Sequence, residues 1–197
     1  MLSHKKYASP TAAVLAASML MVASGTAMSA VVCNTATVPL AVPQNTVGIY
    51  LDLVTGATGT ATPPAGWDFN PYEQSAANGL TFWFNNDTTN KGAVSNGTAY
   101  SVLPAGATVG PAQTYLSTNV AAAMAPWRVA NTGQYLGIRV FNEGTATLNY
   151  GWVQLDTSTT ASPGYPATIN GFCFQNDGTA ITTGATTPVT LQNFSVD

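Results

Sequence analysis

A chain of 197 residues is the size of one large domain or two very small ones, long enough to bury a core without a metal or several staples. Hydrophobic residues make up 46% of it but charged residues only 7%, far below the usual quarter, so Thr, Asn, Gly, Ala and Ser fill the surface role normally held by Lys and Glu. The net charge of −3 excludes both the strongly charged composition of a disordered tail and the basic patch of a nucleic-acid binder.

At the N-terminus His4, Lys5 and Lys6 precede an apolar, Ala-rich run from Ala12 to Ala23, closed by the small residues Ser24, Gly25, Ala27, Ser29 and Ala30. This is the three-part layout of a secretory signal peptide, expected over residues 1–30 with cleavage after Ser29 or Ala30. The alternative is a short amphipathic or buried helix. The run is too short and too rich in Ala to make a stable membrane span, and no other stretch reaches the length needed. Residues 31–197 are therefore expected as one exported domain, secreted to the outside or the cell surface, with no membrane span. Loss of the leader removes the single histidine and leaves Lys91, Arg128 and Arg139 against eight carboxylates. Ser-His and Cys-His nucleophile pairs and histidine metal sites are excluded from that domain, and a nucleic-acid partner is not expected.

Cys33 follows the leader and Cys173 lies near the C-terminal end. An even pair in an exported chain reads as a disulfide, with two free thiols the alternative. Closing a loop of about 140 residues would stabilise by roughly 5 kcal/mol on a chain-entropy account. Beyond Cys33, Ile49, Leu51 and Leu53 alternate with Gly48, Tyr50 and Asp52, a half-buried β pattern running from Val47. Leu80, Phe82 and Phe84 alternate with Thr81 and Trp83. A helix of at most a turn or two is expected over Ser117–Ala125, capped by Asn119 and stopped by Pro126. From Tyr135 to Phe141, Leu136, Ile138 and Val140 face one way and Gly137 and Arg139 the other. The turn Asn142-Glu143-Gly144-Thr145 then leads into a strand from Thr147 to Asp156, a hairpin in which Gly144 supplies positive φ. Further strands are expected over Ala167–Gln175 and Val189–Val196. Segments such as Thr62-Pro63-Pro64-Ala65-Gly66 and Ser162-Pro163-Gly164-Tyr165-Pro166 supply turn chemistry between strands. Short strands punctuated in this way predict an all-β fold: an antiparallel, jelly-roll-like β-sandwich of two sheets in a single domain.

Particular stretches carry a likeness. Tyr135-Leu136-Gly137-Ile138-Arg139, then Tyr150-Gly151-Trp152, then Pro166-Ala167-Thr168-Ile169, with the earlier Gly66-Trp67-Asp68-Phe69-Asn70-Pro71, resemble secreted bacterial β-sandwich proteins of the kind that often carry a PEP-CTERM sorting tail. The likeness covers about two-thirds of the part expected to be exported. Its motifs are structural, so it implies a β-sandwich and export and no activity. No such tail is read before Asp197, a departure from that pattern that leaves surface anchoring open.

The residues that could carry chemistry are few. The two glutamates, Glu73 and Glu143, would be the carboxylate pair of a jelly-roll glycosidase, a role that needs them roughly 5 Å apart or somewhat wider. A loop-tip carboxylate such as Glu143 is expected to be solvated. Asp68, Asn70 and Glu73 offer oxygens for a hard cation such as Ca²⁺, with Asp52 as a possible fourth; the competing reading is that Asp68 and Asn70 bond their own loop as Asx turns. Trp67, Tyr72 and Trp83 are the candidate rings for binding a sugar, against the general tendency of such rings to pack in cores. Arg139 is expected to stack on a ring or to pair with Glu143 or Asp156. The sequons at Asn86, Asn96 and Asn193 mark expected surface positions.

With no imidazole and almost no cations, the domain is expected to act through shape and uncharged contact rather than proton transfer. The function expected is a non-catalytic extracellular structural, matrix or surface module that self-associates. The alternatives are a carbohydrate-binding or adhesive module with an extracellular polysaccharide as partner and, behind it, a glycosidase-like enzyme.

Overall fold

The structure is a computed structural model that describes residues 30–34, 37–85 and 90–186. The expected leader, Ala30 apart, lies outside the described residues, as do the strand expected over Val189–Val196 and the sequons at Asn86 and Asn193. In chain order the strands are β1 (Val31–Asn34), β2 (Leu40–Val42), β3 (Tyr50–Leu51), β4 (Thr58–Gly59), β5 (Phe69–Glu73), β6 (Leu80–Phe84) and β7 (Gly92–Val94). There follow β8 (Thr108–Val109), β9 (Tyr115–Leu116), β10 (Asn131–Asn142), β11 (Thr147–Ser162), β12 (Tyr165–Gln175) and β13 (Ile181–Thr182), with a 3-10 helix over Ala121–Trp127 between β9 and β10.

One sheet has seven strands in the order β1-β12-β11-β10-β7-β9, with β2 also paired to β12. A second has four, in the order β4-β3-β5-β6, and β8 pairs with β13 as a two-stranded ribbon. All the strand pairings are antiparallel. The all-β sandwich expected from the strand pattern is the fold. Its core lies between the two larger sheets, where Leu51, Phe69, Leu80, Phe82 and Phe84 meet Leu136, Ile138, Val140, Val153, Leu155 and Ile169. Full burial of each such side chain contributes about 1.5–3 kcal/mol. The other face of the seven-stranded sheet is covered as well. There Val109 and Ile181 of the ribbon pack with Val94, Tyr135, Tyr150, Trp152 and Cys173. The long meander β10–β12 is thus sandwiched on both sides, which accounts for aromatic and aliphatic residues on both of its faces.

The hairpin between β10 and β11 forms as the sequence implied, with Asn142 opposite Thr147. Its backbone differs from expectation. The residue with positive φ is Ala146, at 52°, and not Gly144. Asn142 Oδ1 accepts the Gly144 N–H at 3.0 Å, so the asparagine, rather than a glycine conformation, starts the turn.

Two other expectations are corrected. The strand read from Val47 to Leu53 is cut to two residues because side chains capture its ends: Asn45 Oδ1 accepts the N–H groups of Val47 and Gly48, and Asp52 Oδ1 those of Val54 and Thr55. The helix expected over Ser117–Ala125 is a 3-10 segment shifted toward the C-terminus, with Pro126 inside it, Val120 rather than Asn119 at its N-cap, and no side-chain cap. Trp127 decides its position, since its fully buried ring lies 6.0 Å from that of Phe82 and draws the segment onto β6.

Candidate functional site

The four-stranded sheet presents one face to the core. Phe69, at the start of β5, points inward and is fully buried, so alternation turns Asp68, Asn70 and Tyr72 to the opposite side. Just before β5 the chain turns at Gly66, whose φ of 75° favours glycine. The turn aims the carbonyls of Gly66 and Trp67 at one point. Lys91 Nζ occupies that point and donates to both at 3.0 Å. The same Nζ lies 2.9 Å from Asp68 Oδ1 and 3.3 Å from Glu143 Oε1. Lys91 and Asp68 are almost wholly buried, whereas the Glu143 side chain, on the β10–β11 turn, is 54% exposed.

Asp68 is held from its other oxygen by the Leu53 N–H, which donates to Oδ2 at 2.9 Å. Burial raises the Asp68 carboxyl from 3.8 to about 7; Lys91 and the Leu53 N–H pull against that rise, and Asp52 adds to it. Asp52 and Glu143 converge over Gly66: a Cβ there would stand 3.2 Å from Glu143 Oε2 and 3.6 Å from Asp52 Oδ2. Beside them is a cavity of about 390 Å³ lined by Asp52, Val54, Thr55, Gly66, Asn142 and Glu143.

This cluster overturns one expectation. Asp68 and Asn70 do not bond their own loop: Asp68 reaches Lys91 and Leu53, and Asn70 Nδ2 donates to the Val47 carbonyl at 3.0 Å. The buried amine instead brings two acidic side chains, one of them desolvated, to a single point inside the fold. Sequence reasoning left out Lys91. The available signal was a lysine with no other lysine after residue 6, set directly before the apolar run Gly92-Ala93-Val94.

The cation set Asp68, Asn70 and Glu73 is not brought together. Glu73 lies five residues from Asp68, roughly 16 Å along an extended strand. Its Oε1 accepts from Ser162 Oγ at 2.8 Å and Gln44 Nε2 at 3.0 Å. Among the described residues no group of three or more His, Cys, Asp or Glu side chains is placed to hold a metal. For the same reason Glu73 and Glu143 do not face one another as a glycosidase pair: Glu143 belongs to the Lys91 end of β5 and Glu73 to the other.

On the outer side of the same sheet, the rings of Trp67 and Trp83 meet at 5.1 Å with an interplanar angle of 67°. Tyr50 completes the group, 4.9 Å from Trp67 and 6.2 Å from Trp83, edge-on to both. Trp67 is nearly buried while Trp83 is 40% exposed, so one ring is open and the others fix its attitude. Tyr72 sits apart, half-buried opposite Thr81, and Asn70 stands opposite Trp83 in the ladder. Tyr50 was legible from its place opposite Leu51 in the alternation and was not singled out.

The remaining charges are also committed to the scaffold. Arg128 Nε donates to the Leu80 carbonyl at 2.9 Å and its Nη2 to Thr81 Oγ1 at 3.0 Å. Burial lowers its pKa from the ordinary guanidinium value. Arg139 stacks over Tyr115 at 4.8 Å, the ring partner expected of it. Asp156 accepts the Gly133 N–H at 2.6 Å. Asn96 is exposed and uses Oδ1 to accept the Thr98 and Ala99 N–H groups.

Cys33 and Cys173 are bonded and stand directly opposite each other in the β1–β12 ladder. Next to the bond a second cavity, of about 440 Å³, is lined by Trp152, Tyr135, Gln154, Asn170 and Gly171. Gln154 Nε2 donates to Tyr135 Oη at 3.1 Å on its wall. No protein-family model matches the chain, and neither a curated protein nor a solved structure matches it.

Proposed function

We propose that the chain works as a non-catalytic extracellular module that builds a surface or matrix layer by associating with copies of itself. The observation that carries this reading is where the charges go. Lys91, Arg128 and Arg139, and with them Asp52, Asp68, Glu73 and Asp156, hold strands and turns together. What is left on the outside is largely neutral Thr, Asn, Ala and Gly. Little repulsion opposes close approach of two such surfaces, and short-range contact governs their meeting. The disulfide between β1 and β12 fits an oxidising compartment, and no helix among the described residues is long and apolar enough to cross a membrane. Size-exclusion chromatography with light scattering over a concentration series tests the reading. Growth of assemblies with concentration supports it; a monomer at every concentration that coats no surface opposes it.

The exposed ring of Trp83 favours a second reading, a carbohydrate-binding or adhesive module. A flat aromatic face braced by Trp67 and Tyr50 suits the apolar face of a sugar ring. Pull-down on insoluble polysaccharides with the wild type and Trp83→Ala separates the two readings. Retention that the variant loses supports sugar binding; equal behaviour of the two proteins removes it.

A further inference from the structure

Lys91, Asp68 and Glu143 form an arrangement with a consequence beyond an ion pair. A primary amine and a carboxyl are held in contact at 2.9 Å, both nearly excluded from water, and a second carboxylate touches the same nitrogen at 3.3 Å. From this geometry we infer that Lys91 and Asp68 join covalently, forming an intramolecular amide bond between Nζ and Cγ with Glu143 as the proton carrier.

The chemistry balances within the site. One proton passes from the ammonium to the Asp68 carboxylate, giving a free amine and a carboxylic acid. Burial favours that neutral pair, because two charges without water are costly, and the raised Asp68 carboxyl agrees with it. The amine lone pair attacks Cγ, forming the C–N bond and a tetrahedral centre. Glu143 takes the second N–H proton and delivers it to the departing hydroxyl. The C–O bond breaks, water leaves, and the carbonyl re-forms. No oxidant, metal or cofactor enters.

Folding supplies what such a step lacks in solution. Amines and carboxylic acids in water exist as ions that do not condense, whereas here the amine is held 2.9 Å from an oxygen of the very carboxyl whose carbon it attacks, so the encounter is already intramolecular. The Gly66 and Trp67 carbonyls and the Leu53 N–H position the two reactants from either side. Glu143 alone of the three is open to solvent, which gives the expelled water an exit through the adjoining cavity. The product would tie the loop before β5 to the start of β7. A neutral module outside the cell would then carry a second covalent tie besides its disulfide, one that reductants cannot open.

Intact-mass spectrometry of the full folded chain, reduced and then denatured, tests the inference. The expected mass is lighter by one water than the reduced sequence requires, and tandem spectra of a digest are expected to show a branched peptide joining Lys91 to Asp68. Full mass, with Lys91 and Asp68 recovered on separate unmodified peptides, would overturn it, as would a lost water located elsewhere in the chain. Glu143→Gln keeps the size of an exposed turn side chain and removes its charge, and circular dichroism is expected to show an unchanged fold. It is expected to cut the joined fraction at least tenfold at a fixed time after refolding. A variant that joins as completely and as fast as the wild type would overturn the part assigned to Glu143.

Discussion

Gly137 of β10 lies directly under Val109 of β8: a Cβ on the glycine would stand 2.7 Å from Cγ2 of Val109 and 2.7 Å from Cγ2 of Val94. The ribbon can close on the seven-stranded sheet only because this position has no side chain. Gly137→Ala is therefore expected to destabilise by about 1–3 kcal/mol, the usual cost of overpacking. Gly171→Ala is the contrast. Its Cβ would meet the Trp152 ring at 3.6 Å, an ordinary contact, so that variant is expected to stay neutral or gain up to about 1 kcal/mol. Urea unfolding midpoints compare them, and equal losses in both would contradict this packing.

Ala146 holds the positive φ of the β10–β11 turn. An alanine is strained there and a glycine is not, so Ala146→Gly is expected to raise stability by roughly 0.5–1 kcal/mol. Thermal unfolding checks this. A loss of stability would mean that the hairpin tip adopts another backbone.

Lys91→Met leaves Asp68 buried without its cation. As long as it is not joined to Lys91, the folded carboxyl titrates near 7 against 3.8 in the unfolded chain, so the native state binds the extra proton between those values. Stability from this group is complete below the unfolded value and is lost as pH rises through the folded one. Removing the attraction of Lys91 moves the folded carboxyl further up. The variant is expected to be weaker than Lys91→Met/Asp68→Asn, which lacks the same cation and the same tie, by about 3–5 kcal/mol at pH 8 and to recover much of that at pH 5. Melting temperatures at the two pH values decide it. Equal losses at both would show that ionised Asp68 is not the cause.

The Cys33–Cys173 bond closes a loop of 140 residues. Replacing both cysteines with serine is expected to cost about 2–4 kcal/mol. Loss of protection of the β1 amides in hydrogen exchange, with β10 and β11 kept, would localise the effect. Unchanged stability would contradict a structural role for the bond.

The sequence made the larger strands plain because their pattern is their own. Alternation at Leu136-Ile138-Val140 and Leu80-Phe82-Phe84 reports a buried face whatever lies opposite. The short strands were not legible for the opposite reason. β4, β8 and β13 have two residues each and exist only because a partner pairs with them. Gly137 illustrates the same limit, since its alternation marked an outward position without indicating that Val94 and Val109 cover it. At the site, Trp67 and Trp83 could be named from composition and parity. The convergence of Lys91, Asp68 and Glu143 could not, because it joins three segments remote in sequence and depends on a turn at Gly66 that no periodicity encodes.

The central claim is that the charges serve the scaffold and that the surface works by neutral contact. Sedimentation velocity of the folded chain at one high protein concentration, in low salt and in 1 M salt, addresses it most directly, because salt at that level shortens screening to about 3 Å. Assemblies present in both conditions, undiminished by salt, are the expected result. Assemblies that dissolve in high salt, or a monomer in both, would contradict it.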